Sequence, residues 1–343
     1  RREPLSRHRA GRSPGASHHL DQPARRGGRT AAGPRAPQPD RARGNARFAC
    51  AVNVRHATRE DAAAVAEVFG SVEEAVAGHP SSLDAQAVLG WWQTISFETN
   101  TWLFEDDGTL VAAAFAQVHG DRGNGGGAVR PSAQGRGLGT RLVEVMEGRV
   151  AEEGAARVHS WTLAADERAS ELFRRHGYRE VRRFWEMAID FEEEPPEPEG
   201  SIEPFREEEA PAFHAAIEEA FEDHWEPHPE PFEDWWARQR ARTNFEPSLW
   251  FVIRDGDEIA AVARNEMRTG AGYIGALGVR RPWRGRGYGR ALLLHSFREF
   301  RRRGVSRATL GVDAASPTGA THLYESAGMH VEHEEIVWEK VLG

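Results

Sequence analysis

Two loops in this 343-residue chain combine the residue types that hold an anion. Val129-Arg-Pro-Ser-Ala-Gln134-Gly135-Arg136-Gly137-Leu138-Gly139 returns later as Leu277-Gly278-Val279-Arg-Arg-Pro-Trp-Arg284-Gly285-Arg286-Gly287-Tyr288-Gly289-Arg290. In each copy a strand candidate precedes the glycines and a helical pattern follows. The glycines therefore fall at a helix N-terminus, where unpaired N–H groups and the helix dipole favour negative charge. A phosphate is the natural guest. Gly287 and Gly289 let the backbone approach it without a Cβ in the way, and Arg284, Arg286 and Arg290 add positive charge. A dinucleotide fingerprint would need glycine at the sixth position, where the loops have Thr140 and Arg290. A P-loop would need Gly-Lys-Ser/Thr, and neither loop contains lysine. A tight glycine turn with solvated arginines is the alternative, and it suits the first loop better, because the strand before it, 125–129, is diluted with glycine.

The elements that must present these loops follow from apolar spacing. A strand over 52–58 leads into a helix through Val65, Val68 and Phe69, and a second helix covers 83–97. Apolar runs 102–104 and 110–115 flank Asp106-Asp107-Gly108, a hairpin signature. Leu142, Met146 and Val150 stack on one face of the helix after the loop, followed by a strand over 158–163 and a helix over 171–175 closed by Gly177. The acidic, proline-rich stretch 192–200 breaks every period and reads as an extended linker. After it the order repeats: a strand over 202–205, a helix over 211–221, strands 250–253 and 258–262 around Asp255-Gly256-Asp257, and a strand over 273–279. Then come a helix carrying Leu293, Phe297 and Phe300, a strand over 308–312 and a helix over 318–326. Each unit thus runs β, two helices, a meander, helix, β, helix, β. The expected class is α/β (α+β), two units each with a mixed, mostly antiparallel sheet flanked by helices, over 51–191 and 201–343.

The totals set bounds. A net charge of −9 argues against a general nucleic-acid surface, and no run of 18 apolar residues is present to span a membrane. A single cysteine, Cys50, leaves no internal disulfide and points to a reducing, cytoplasmic setting. Residues 1–50 are dense in Arg, Gly and Pro and read as a disordered tail, with an interaction arm or a targeting segment as alternatives.

The Gln/Arg-x-x-Gly-x-Gly/Ala pattern of both loops resembles the GNAT superfamily of N-acetyltransferases, whose members place the pyrophosphate of coenzyme A there. The resemblance covers nearly everything from Val52 onward. Leu323-Tyr324-Glu-Ser-Ala-Gly328-Met looks like the family's late motif, and its counterpart Leu172-Phe173-Arg-Arg-His-Gly177-Tyr has phenylalanine where the second copy has tyrosine. The resemblance implies acetyl-CoA as co-substrate, no metal, and Tyr324 as the group that meets the thioester sulfur. Coenzyme contacts would come from Leu277 to Val279 and Arg284 to Arg290, with Val129 and Gln134 to Gly139 as their counterparts. A thiol near 8.5 and a tyrosine near 10 make full proton transfer uphill by about 2 kcal/mol, so Tyr324 would act mainly as a hydrogen-bond donor. Phe173 cannot do this, which makes the first unit catalytically degenerate and the second the catalyst.

The tandem arrangement is similar to that of the mycothiol synthase family, which uses a glutamate on the fourth strand of its second unit. Here Tyr273 stands at that place, and Pro317 stands where the family often has asparagine. A lysine-like amine is neutral in only about one molecule in a few thousand at pH 7, so a base is needed. Glu266 and a water relay are both open. The acceptor is expected to be a primary amine of a small molecule or peptide. Residues 218–236 interleave carboxylates with indoles, as a cationic amine would favour. Plain core packing is the alternative, and the similar pair Trp91 and Trp92 supports it. His224 and His228 are separated by Pro227, which prevents a helical metal pair. Two other functions fit the same residues: a non-catalytic acyl-CoA sensor or scaffold, and acetylation of a cysteinyl amino-sugar conjugate.

Overall fold

The computed structural model describes residues 52–343 apart from 79, 80, 82, 94 and 228. The basic stretch 1–50 and His228 therefore lie outside the described residues. The first unit contains β1 (Asn53–Arg55), α1 (Ala62–Ala77), α2 (Ala85–Trp92), α3 (Phe97–Asn100), β2 (Thr101–Asp106), β3 (Thr109–His119), β4 (Arg122–Val129), α4 (Leu138–Glu152), β5 (Arg157–Leu163), α5 (Glu167–Arg175) and β6 (Arg179–Asp190). The second contains β7 (Glu203–Pro204), α6 (Ala210–Phe221), α7 (Phe232–Ala241), β8 (Trp250–Asp255), β9 (Glu258–Arg268), β10 (Ala271–Val279), α8 (Tyr288–Arg302), β11 (Arg307–Asp313), α9 (Ala320–Ser326) and β12 (His330–Val341).

Local chemistry accounts for most of these boundaries. Asp107 and Gly108 have φ of 48° and 75°, the left-handed pair that a two-residue hairpin between β2 and β3 requires. The helix expected over 83–97 is split: α2 begins at the Asp84 cap and ends at Trp92, and Ser96 starts the single turn α3. β4 is longer than its glycine content suggested and pairs with β3 along its whole length. Its glycines are packing solutions. A Cβ on Gly123 would lie 2.3 Å from Val150 on α4, and one on Gly126 would lie 2.7 Å from Phe115. Gly272 plays the same part in the second unit, where a Cβ would meet the Phe300 ring at 2.2 Å.

The two expected sheets are present and fused. The strand order is β1-β2-β3-β4-β5-β12-β6-β11-β10-β9-β8-β7, so the last strand of each unit sits beside the other unit's fifth. β6 runs antiparallel to β11, from Arg307 opposite Asp190 to Asp313 opposite Phe184. β12 pairs with β5 on one side and β6 on the other. Ion pairs cross this seam: Arg182 grips buried Asp313 with contacts of 2.9 and 2.6 Å, and Arg183 meets Glu334 at 2.6 Å. The 192–200 linker lies along α8, where Arg298 donates to the Pro195 carbonyl at 2.7 Å and pairs with Glu197 at 3.0 Å.

Candidate active site

Sequence places a glycine on each side of an arginine in both loops, and the backbone uses them identically. Gly285 and Gly287 have φ of 78° and 83°, and Gly135 and Gly137 have 77° and 81°. These left-handed values are cheap only for glycine, and they turn the chain into α8 and α4 with Gly287 and Gly137 as N-caps. The first backbone bonds closed after the turns are Ala291 N–H to Gly287 O at 3.0 Å and Arg141 N–H to Gly137 O at 3.2 Å. Among the described residues, no backbone carbonyl accepts from the N–H groups of 285–290 or 135–140. Each loop is therefore a nest of free donors on a positive helix end, as a diphosphate requires.

The arginines divide their tasks. Arg284 turns inward, donating to Val279 O at 3.1 Å, Ala220 O at 3.1 Å and Asp223 at 2.7 Å, so it fastens the loop to α6. Arg286 pairs with Asp255 at 3.2 Å, and Arg136 pairs likewise with Asp106 at 2.8 Å. Arg290 is exposed and has no hydrogen bond or ion pair among the described residues. It is the guanidinium left for a ligand.

Below the second loop, a cleft of about 290 Å³ runs between β10 and β11, lined by Leu277, Gly278 and Val279, by the loop itself, and by Tyr324. Two features open it. β10 and β11 pair only through Gly272 and Tyr273 opposite Ala308 and Thr309, then part. β10 also carries a bulge between Ile274 and Ala276, where Arg264 holds the Gly275 carbonyl at 3.1 Å. Tyr324 on α9 is buried, and burial, helped by neighbouring Tyr273, pushes its hydroxyl up to about 12. It stays a protonated donor across the working range.

A second cavity, of about 330 Å³, adjoins the first at Gly311, which lines both. Its walls are Trp161, Phe184, Trp185, Trp225 and Tyr273, and Glu186, Glu226 and Glu335 supply carboxylates. Glu186 comes from β6, the strand lent by the first unit, directly opposite Gly311. A Cβ built on Gly311 would lie 3.6 Å from the Tyr273 hydroxyl and 3.8 Å from Glu186 Oε2, so both groups point over this glycine. Burial raises the Glu186 carboxyl to about 7, against the pull of Arg268 and a Thr309 hydrogen bond and with help from Glu335 and Glu332. Burial also raises Glu335.

The first unit diverges at each of these points. The repeat and the strand pairings put Trp161 where the second has Gly311, Phe173 for Tyr324, Val337 for Glu186 and Asn124 for Tyr273. β4 has no bulge against β3, and just beyond Asn124 and His159, where β4 and β5 cease to pair, Ser160 donates to the Gly125 carbonyl at 2.7 Å.

Other expected groups prove to be engaged elsewhere. Glu266 is buried under Arg242 at 2.5 Å, Arg268 at 3.0 Å and Arg264 at 3.8 Å, so its oxygens are already occupied by guanidinium groups. Trp235 and Trp236 pack on Trp250 and Phe232 in the core, and Glu219 and Asp223 pair with Arg280, Arg281 and Arg284. Of that stretch, Trp225 and Glu226 reach the cavity. Trp225 stacks on His159 at 5.4 Å, and Glu226 is bound by Arg122 and Arg157. His159, Glu226 and Glu339 gather ligand atoms within 4.8 Å. Guanidinium groups of Arg122, Arg157 and Arg179 already occupy those carboxylates, which opposes a metal cation there. Arg179 and His159 hold the Glu339 carboxyl down at about 2.

Comparison with known proteins agrees with this geometry. The profile described as "Acetyltransferase (GNAT) family" matches residues 190–329, and that described as "Acetyltransferase (GNAT) domain" matches 98–180. A mycothiol acetyltransferase from Thermobispora bispora is 31% identical over 58% of this chain and 70% of its own length. One from Propionibacterium freudenreichii is 28% identical over 72% and 80%. A GCN5-related N-acetyltransferase from Sphaerobacter thermophilus superposes with a TM-score of 0.75 at 33% identity, over 84% of this chain and 95% of its own. A tandem GNAT protein from the clavulanic acid biosynthesis pathway shares the fold, with a TM-score of 0.63 at 14% identity over 85% and 99% of the two chains. The chain is thus a tandem member of the GCN5-related N-acetyltransferase family and an N-acetyltransferase enzyme.

Proposed function

We propose that acetyl transfer takes place in the second unit, 201–343, and that the first, 51–191, keeps the shape without the chemistry. The carrying observation is Gly311, the point at which the cleft under the 284–290 loop meets the aromatic cavity. The N–H groups of 285–290 and the side chain of Arg290 would hold the diphosphate of acetyl-CoA, with Leu277, Gly278 and Val279 along its pantetheine arm. Bound acetyl-CoA supplies an activated acyl group to a primary amine. Tyr324 donates a hydrogen bond to the sulfur as charge develops there. With its hydroxyl near 12, complete transfer to a thiol near 8.5 would be uphill by roughly 5 kcal/mol, so its part is to stabilise that charge.

Tyr324→Phe in the full chain tests the assignment. Turnover, followed as thiol release from acetyl-CoA with amine present, should fall about 100-fold while CoA affinity holds. Unchanged turnover would remove the role of Tyr324, and no amine-stimulated release by the unaltered protein would favour a sensor. The name shared by the curated relatives makes a cysteinyl amino-sugar conjugate the first acceptor to assay.

A further inference from the structure

With Glu266 taken by arginines, a carboxylate beside the acyl cleft stands on the strand that the second unit borrows. Glu186 projects over Gly311 beside the Tyr273 hydroxyl, where the aromatic cavity opens into the acyl cleft. Among the described residues, neither Glu186 nor Glu335 makes an ion pair, in a molecule whose other site carboxylates, Glu226 and Glu266, are taken by arginines. In this lining Arg122 is matched by Glu226, Arg268 acts on Glu186 from outside the lining, and the three carboxylates against one lining guanidinium leave room for a further positive charge among the indoles. An ammonium group supplies it, with its charge over the ring faces.

We propose that Glu186, contributed by the first unit, takes the proton from a cationic primary amine held in this cavity and so serves as the base for transfer in the second unit. This rests on the second unit being the catalytic one. The step balances as follows. Glu186 accepts one proton from the bound ammonium and passes it to solvent. The freed lone pair forms the C–N bond to the acetyl carbon as the C–S bond breaks, and the sulfur leaves as a thiolate that accepts a hydrogen bond from Tyr324. The nitrogen's surplus proton leaves through Glu186 to solvent. Burial, Arg268 from the end of β9, Thr309 from β11 and Glu335 and Glu332 from β12 set the proton affinity of Glu186, and Tyr273 from β10 and His333 from β12 also face it. A carboxyl that titrates near 7 is matched to removing a proton at neutral pH. Val337 at the equivalent place leaves the first unit without such a group.

The test uses the full chain with acetyl-CoA and four amines: tyramine, spermidine, glucosamine and cysteinyl-glucosamine. For the unaltered protein, kcat/KM should climb with pH to a plateau with its midpoint near 7, because the base works deprotonated. In Glu186→Gln that limb should vanish and kcat fall by about 10²- to 10⁴-fold, with calorimetric CoA affinity unchanged. Glu186→Asp, which keeps a carboxylate, should retain a limb and part of the rate. Carbon-13 NMR of the glutamate carboxyls in unaltered protein, without amine or coenzyme, should show one titrating near 7 that is missing in Glu186→Gln. The proposal is overturned if Glu186→Gln keeps rate and limb, if no carboxyl titrates there, or if a protein that binds CoA acetylates none of the four amines. Failure of the unaltered protein to bind CoA would instead overturn the assignment of the second unit, and calorimetry shows it before any amine is added.

Discussion

Gly311 and Trp161 occupy equivalent places in the two units, and in the reaction proposed above the glycine leaves room for the acyl group and the amine to meet. The space above Gly311 tolerates a methyl group, since a Cβ there meets its nearest neighbours at 3.6 and 3.8 Å, ordinary contact distances. An indole would occupy the junction itself. Gly311→Ala should therefore keep most of the activity, while Gly311→Trp should reduce thiol release by more than about 100-fold, as loss of correct positioning does, without lowering the melting temperature appreciably. Full turnover by Gly311→Trp would mean that the acyl group and the amine do not meet here. The loop arginines show why residue type alone under-determines role. All three could bind phosphate by chemistry, yet Arg284 is spent on Asp223 and two carbonyls, and Arg290 alone is left unengaged among the described residues.

At the scale of elements, glycine turns and apolar spacing carried the helices and the meander, because those signals are local. Leu142, Met146 and Val150 on α4, and Leu293, Phe297 and Phe300 on α8, are all buried as their spacing implied. The partner of a strand is not a local property. β6 and β12 each read as the last strand of their own unit, and nothing within them states that they cross over. The carboxylate proposed as base is not legible in the sequence for the same reason, because Glu186 lies on a strand of the first unit while the second unit's own third strand offers Glu266. Setting β6 against β12 across the repeat would have exposed Glu186 opposite Val337 as a difference of chemical type. The exchange also has a physical consequence. Residues 201–343 expressed alone would leave β11 with an open edge and no Glu186, and an unpaired edge invites aggregation. That fragment should be inactive and poorly soluble, and co-expression with 51–191 should restore soluble, active protein. A soluble, fully active isolated fragment would contradict the structural role given to β6.

For the molecule as a whole, the described residues from 52 to 343 form one compact unit around a seam of exchanged strands and ion pairs. Arg182 with Asp313, Arg183 with Glu334, and Arg157 with Glu226 each join elements of different units. The duplicated fold is used asymmetrically. In the proposed reaction one unit supplies the coenzyme cleft and Tyr324, and the other supplies a strand, a carboxylate and part of an aromatic wall. Both loops keep a nest of free N–H groups and both pairs of parallel strands part, but among the described residues the bulge that widens the gap is on β10 of the second unit, where the nest continues into a cleft. The central claim is therefore one coenzyme site per chain, at 284–290. Calorimetric titration of the purified protein with CoA measures it directly. One site per chain is predicted, with affinity weakened about 10- to 100-fold by Arg290→Ala through loss of one charge-assisted contact, and indifferent to Arg136→Ala. Two equivalent sites, no binding, or an Arg290→Ala protein that binds as well as the original would contradict the account.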